Sequence, residues 1–186
     1  MRTACVGRTA LSILVIDSAS PSSASDALRF LFVRVAGHRF CLRLDDVERL
    51  LPLMLLQPVP EGPDYLMGLM NLRGQPVPVV DLARRLGLPA CAGHPLEAPV
   101  VLAGLGGLRA GLVVDEVLGV QAVPRPALRG EALFRDGLPP VLSAVATNGG
   151  TALQLDTLRI LDIDLSGLTP SLVLEGELLA LCRQAP

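Results

Sequence analysis

Four side chains of the zinc-binding kind stand in two matched pairs, His38-x-x-Cys41 and Cys91-x-x-His94. Two imidazoles and two thiolates in tetrahedral array would make a structural zinc site. The residues around the first pair speak against it. Arg39, Cys41 and Arg43 alternate with Phe40, Leu42 and Leu44, the period of a half-buried antiparallel strand. Positions three apart on a strand point to opposite faces, so His38 and Cys41 cannot converge easily on one ion. Cys41 reads as a small core hydrophobe and His94 as a loop residue. No metal is expected.

Catalysis by a nucleophile or a phosphate-binding loop finds no better footing. There is no Gly-x-Ser-x-Gly elbow, and neither histidine neighbours a serine or cysteine nucleophile motif. The pairs Asp45/Asp46 and Asp115/Glu116 imitate a general acid/base couple. Their place at the ends of strands suits capping and turn formation instead. All 16 basic residues are arginine, so no Gly-x-x-x-x-Gly-Lys loop exists, and Gly104–Gly107 is read as a hairpin turn. The chain is read as a non-enzyme without a cofactor.

What remains is a loop suited to gripping. An apolar run from Leu66 to Met70 breaks at Asn71-Leu72-Arg73-Gly74 and resumes at Val77, Val79 and Val80. That is strand, tight turn, strand, with Asn71 and Gly74 as residues that tolerate the positive φ a reversal needs. Arg73 is a lone guanidinium at the tip of an uncharged hairpin.

The elements that must hold this hairpin come from a chain of 186 residues, 51% of them hydrophobic, enough for one domain or two small packed subdomains. A net charge of −2 and 3% aromatic content lack the basic footprint and the stacking platforms of nucleic-acid binders. Cys5, Cys41, Cys91 and Cys182 are dispersed, with no Cys-x-x-Cys pair, which fits a reducing compartment. No apolar run is long enough to span a bilayer. Residues 1–27, with Arg2 and Arg8 before a short apolar run and then Ser/Ala-rich sequence, are read as a disordered extension or a mis-assigned start. A secretory signal is the other reading of that segment.

Strands are expected over 28–36, 39–44, the two arms of the 68–82 hairpin, 99–105, 108–114, 117–123, 139–146 and 151–155. Asp45 is expected to cap a short helical turn over 45–50, and Asp81 a helix from Leu82 to Leu86. Pro52, Pro58, Pro60 and Pro63 keep the intervening chain extended, and a Gly/Pro/Ala-rich stretch over 87–99 separates two halves. Ser171 to Gln184 reads as a moderately amphipathic helix. The two halves repeat. Gly37-His38-Arg39-Phe40-Cys41-Leu42-Arg43-Leu44-Asp45-Asp46-Val47 aligns without gaps on Gly107–Val117, at a constant offset of 70 residues. A weaker echo sets Asn148-Gly149-Gly150 and Asp156 opposite the Asn71–Gly74 turn and Asp81. A repeated β-unit implies two similar small barrels side by side.

The block Pro60-Glu61-Gly62-Pro63-Asp64-Tyr65, the hairpin, and Gly111-Leu112-Val113-Val114-Asp115-Glu116-Val117 together resemble the CheW-like coupling proteins of bacterial chemosensory arrays. The resemblance covers about residues 28–165, leaving 1–27 as an extension and 166–186 as a C-terminal helix or tail. It implies a mainly all-β fold: two intertwined, five-stranded SH3-like barrels with short helices, partly exchanging strands, with a boundary near 87–99. It further implies an adaptor without catalytic activity or cofactor, cytoplasmic but associated with membrane-bound receptor arrays. Its implied partners are the cytoplasmic tip of a methyl-accepting chemoreceptor and the regulatory domain of a CheA-type histidine kinase. By position, Val47, Arg49, Gly68, Asn71, Arg73 and Gly74 fall on the receptor-binding side, and Val113, Val117 and Val120 on the kinase-binding side. Burial in a barrel core explains the same valines.

One position departs from the family pattern. Where the family often carries an acid to pair with the hairpin arginine, this chain has Arg49, with Glu48 beside it as a substitute partner. An Arg49 facing Arg73 would set like charges together. A divergent array, serving surface motility or a second-messenger output, is consistent with that change. A small barrel binding nucleic acid is the alternative function, and the acidic composition weighs against it.

Overall fold

The structure is a computed structural model, which describes residues 27–89, 93–124, 128–129, 140–147 and 149–163. Its strands are β1 (Ala27–Val35), β2 (His38–Arg43), β3 (Val47–Pro52), β4 (Leu66–Leu72), β5 (Gln75–Asp81), β6 (Pro99–Leu105), β7 (Leu108–Val113), β8 (Glu116–Pro124), β9 (Leu128–Arg129), β10 (Val141–Thr147) and β11 (Gly150–Leu155). Two short helices, α1 (Leu82–Arg85) and α2 (Thr157–Leu161), follow β5 and β11. The expected C-terminal helix over 171–184 and the expectations for residues 1–26 lie outside the described residues, as does Cys91.

The strands form two sheets, ordered β8-β1-β2-β11-β10-β9 and β3-β6-β7-β5-β4. Shifting the second order by the repeat turns it into the first: β3 becomes β8, β6 becomes β1, β7 becomes β2, β5 becomes β11 and β4 becomes β10. Both sheets close the same way, with a parallel pair between strands of different repeats, β5 with β7 and β11 with β2. Each hairpin is therefore lodged in the sheet of the other half: β1–β2 completes the first sheet and β6–β7 the second. This is the mainly β, intertwined two-barrel architecture that the sequence led us to expect. One sheet has five strands, and the other adds the two-residue β9.

The exchange explains why residues 30–33 of β1 and 100–103 of β6 are unbroken apolar runs. Both are buried on both faces, which abolishes the usual polar alternation. Phe30 and Phe32 point into a core with Cys41, Val123, Val145 and Ala152. Leu31, Val33 and Val35 face the opposite way, into a central core shared with Val80, Val101, Leu112, Leu155 and Ile160. On β6, Val100 and Leu102 enter a third core with Met70, Val77 and Val79, while Val101 and Ala103 join the central one. The central core thus binds the two sheets to each other.

Both helices start as the sequence indicates. Asp81 accepts a hydrogen bond from the Arg84 amide at 3.1 Å, and Asp156 one from the Arg159 amide at 3.3 Å. Each satisfies an amide that the first helical turn leaves unpaired. The expected helical turn over 45–50 is a correction. A 3₁₀ turn covers only Leu44–Asp46, Asp45 caps nothing, and Val47–Pro52 is strand β3. Local sequence suggested a helix, but pairing with β6, from the far half of the chain, decides the conformation. Asp45 instead pairs with Arg43 at 3.0 Å, and buried Asp46 accepts a hydrogen bond from Thr157 Oγ1 at 2.8 Å.

Candidate functional site

The β4–β5 hairpin closes through a two-residue turn, Arg73-Gly74, with Leu72 opposite Gln75. Arg73 and Gly74 have φ of 53° and 82°. Positive φ at both central residues twists the chain to match the strands it joins. Asn71 is not one of the left-handed residues, which corrects the sequence reading. Its Oδ1 accepts from the Gly74 amide at 2.7 Å and so braces the turn from β4. A side chain larger than Asn at a left-handed position costs on the order of 1 kcal/mol. Arg73 is held there nonetheless, exposed at the tip.

A second irregularity aims Arg49. The β3–β6 register slips between Val47 and Arg49: Val47 lies opposite Ala103 and Arg49 opposite Leu102, leaving Glu48 as the extra residue of a bulge. Bulges redirect side chains. Glu48, Arg49 and Leu50 all come out exposed, where strict alternation would have buried one of them. Glu48 crosses over Gly104 of β6, where a Cβ would lie 2.6 Å from its Oε1, and reaches Arg109 of β7 at 2.5 Å. Arg109 also donates to Gln75 Oε1 at 3.4 Å, and its Nε is buried without a hydrogen-bond partner among the described residues.

Arg49, Leu72, Arg73, Gln75 and Arg109 line one open cavity of about 270 Å³. The arrangement gathers three guanidiniums from three parts of the chain around a single space. Among the described residues its one paired carboxylate is Glu48, and that is engaged by Arg109. The substitute partnership expected between Glu48 and Arg73 is thus not the one observed. Arg49 and Arg73 both line this cavity. Sequence reasoning missed Arg109 and Gln75. The signal was present in the Gly-x-Arg repeat, because Arg39, the counterpart of Arg109, likewise reaches the turn of its own sheet by donating to the Gly149 carbonyl.

The other predicted residues are placed as follows. Val47 is half-buried against the central core. Gly68 is buried with φ of 146°, and a Cβ there would lie 2.5 Å from the Gln57 carbonyl oxygen. Its bare Cα lets the 53–65 segment lie along β4, where Gln57 and Leu69 exchange two 2.8 Å backbone hydrogen bonds. Val113 is an interior residue at 1% exposure and offers no surface. Val117 packs against the central core, and Val120 is 47% exposed on β8, an edge strand.

The groups first weighed for chemistry are structural where described. His38 is exposed at a turn, and Cys41 lies in a core where burial pushes its thiol up to about 12. His94 Nε2 lies 3.0 Å from Asp81 Oδ2, with both side chains nearly buried. Burial alone would raise the Asp81 carboxyl, but hydrogen bonds from His94 and the Arg84 amide, with their charges, hold it below its ordinary value. Asp115 accepts from the Ala36 amide at 2.7 Å and Glu116 pairs with Arg34 at 2.9 Å, tying the first hairpin to the second repeat. Among the described residues no helix is long and apolar enough to cross a membrane.

Comparison with known proteins agrees with this architecture. A profile of the CheW-like domain matches residues 29–164. Chemotaxis protein CheW of Rhizobium meliloti is 32% identical over 48% of this chain and 57% of its own length, so the match spans little more than half of that relative. Protein FrzA of Myxococcus xanthus is 31% identical over 70% of this chain and 75% of its own. Chemotaxis protein CheW of Thermotoga maritima is 32% identical over 64% and 78%. The crystal structure of scaffolding protein TtCheW from Thermoanaerobacter tengcongensis superposes with a TM-score of 0.66, covering 74% of this chain and 94% of that one at 22% identity, a likeness of fold. With the profile spanning most of its length and its repeat folded into two interleaved β-units, the chain belongs to the CheW-like domain family.

Proposed function

We propose that this chain is a non-catalytic adaptor of a chemosensory array, joining the cytoplasmic tip of a chemoreceptor to the regulatory domain of a CheA-type histidine kinase. The observation that carries the reading is the β4–β5 tip, where Arg73 is kept in an unfavourable backbone conformation and presented to solvent. Strain of this kind is retained where a side chain serves a contact. Arg49, Asn71, Arg73 and Gly74, with half-buried Val47 at the base, make the receptor face; Gly68 shapes it from below. Val117 and Val120 on β8 make the kinase face, while Val113 belongs to the interior of the hairpin's own sheet and is left out of it. The two faces lie on different sheets, so both partners can be held at once. Repetition across an array then multiplies weak contacts through effective concentration. The adaptor works in the cytoplasm, beside membrane-bound receptors.

Co-sedimentation of the purified chain with receptor and kinase cytoplasmic fragments tests this. Arg73→Glu should leave the circular dichroism spectrum and melting unchanged and remove the chain from the receptor pellet. Undiminished recruitment of that variant would sink the reading.

A further inference from the structure

We propose that the cavity lined by Arg49, Arg73 and Arg109 selects the docking partner, and that it takes a protein segment offering two carboxylates, one to Arg49 and one to Arg73. The inference rests on the hairpin face being a docking face, and adds which chemistry that face accepts.

Charge carries it first. Three guanidiniums and one carboxylate leave two positive charges around the cavity, in a chain whose net charge is −2. The neutralising group cannot come from Glu48. Its carboxylate is committed to Arg109, and the missing side chain at Gly104 gives it the path to that partner. Among the described residues Arg49 and Arg73 form no ion pair. Both are nevertheless aimed at the same space, Arg49 by the bulge and Arg73 by the left-handed turn. Two irregular backbone features converge to bring like charges together. That arrangement disfavours the free protein and is relieved when carboxylates arrive, since a guanidinium binds a carboxylate through two parallel hydrogen bonds.

The surroundings favour a protein segment over a free anion. About 270 Å³ holds several times the ~30 Å³ of a water molecule, which suits two carboxylate heads entering from outside. The cavity is open, so a small anion would gain only screened attraction there. Apolar surface adjoins the charges: Leu72 lines the cavity and packs against the core beneath it. A polypeptide can cover that surface and supply the carboxylates together, the usual make-up of an energetic centre in an interface.

The test is calorimetric titration of the full chain with the cytoplasmic fragment of a chemoreceptor from the same genome, at low and high salt. Arg49→Glu should weaken binding by about tenfold to a hundredfold, and Arg49→Gln by less. Changing the receptor's tip carboxylates to lysine should restore binding to Arg49→Glu. Leu72→Ser, which removes the apolar wall of the cavity without touching an arginine, should also weaken binding. Loss with Leu72→Ser but not with Arg49→Glu keeps the docking face and overturns the carboxylate selection. Tighter binding by Arg49→Glu would mean a basic partner segment and overturn it too. Direct saturable binding of inorganic phosphate that survives high salt would make the cavity a small-anion site instead. Indifference to Arg49→Glu, Leu72→Ser and Arg73→Glu alike would remove the docking face itself.

Discussion

At the tip of the second sheet stand Glu48, Arg49, Arg73 and Arg109, and the repeat puts Leu118, Gly119, Asn148 and Arg39 at the corresponding positions of the first. The two places share their backbone plan. The bulge at Glu48 recurs at Leu118, where the β1–β8 register slips between Phe32 and Val33, and each repeated Gly-x-Arg arginine reaches the neighbouring turn. What differs is charge. Among the described residues the first sheet builds the same frame with one guanidinium and a backbone carbonyl partner, so the frame does not require the other two arginines. Charge that the frame dispenses with in one copy and keeps in the other is not needed for folding, which is the ground of the recognition role proposed above.

Three substitutions exchange features between the two places and a fourth test compares their helix caps, in order of size. Gly68→Ser, which copies its counterpart Ser143, should cost about 2–4 kcal/mol, because the left-handed φ and the Gln57 carbonyl both oppose a side chain. Ser143 is tolerated because its hydroxyl reaches Gln154 at 2.8 Å in a buried pair. Urea midpoints of the two sheets' variants compare them directly. An undisturbed Gly68→Ser midpoint would mean that the 53–65 segment does not lie over β4.

The two helix caps should separate next. Asp156→Ala should lose about 1 kcal/mol, the value of a cap, and Asp81→Ala about 2, since it also strips nearly buried His94 of its partner. The pH dependence follows from the lowered Asp81 carboxyl. A carboxyl lowered on folding stabilises fully above its unfolded value, near pH 4, and the stabilisation is lost as pH falls through the folded value below that. Asp81→Asn should flatten this acid limb of the melting temperature, and an unchanged limb would assign it elsewhere.

A smaller effect has the opposite sign. Arg73→Asn, giving the hairpin the residue of its counterpart Asn148, should raise stability by roughly 0.5–1 kcal/mol while weakening receptor binding. Stability and binding moving together would show that Arg73 serves the fold. Smallest of all, Glu48→Leu, which copies Leu118, should cost under about 1 kcal/mol, because the Glu48–Arg109 pair is more than a third exposed. Melting at low and high salt should show that cost shrinking as salt rises.

These contrasts also mark what could be read from the residues alone. The Gly-x-Arg repeat and the alternation in 39–44 revealed two β-units, and the Asp81 cap and Arg73 tip were legible because turn and cap chemistry is local. Strand β3 was not, because residues 47–52 become a strand only when β6 pairs with them. Nor was the company of Arg49. A bulge at Glu48 turns the alternation by one position, and no residue within the strand announces it. The Glu48–Arg109 pair was hidden twice over, by its separation along the chain and by a glycine whose role is to leave space.

The exchanged hairpins govern how the protein can be made. Hairpin β1–β2 leaves the ribosome first, yet its sheet partners β8 and β11 end at residues 124 and 155. At typical translation rates that is a wait on the order of 10 s, with Phe30 and Phe32 lacking the core that buries them. Long-range pairing of this kind folds slowly, because the loops must close before any contact rewards them. A chain stopped before residue 99 would carry five strands and complete neither sheet, so synthesis of this chain is all or nothing.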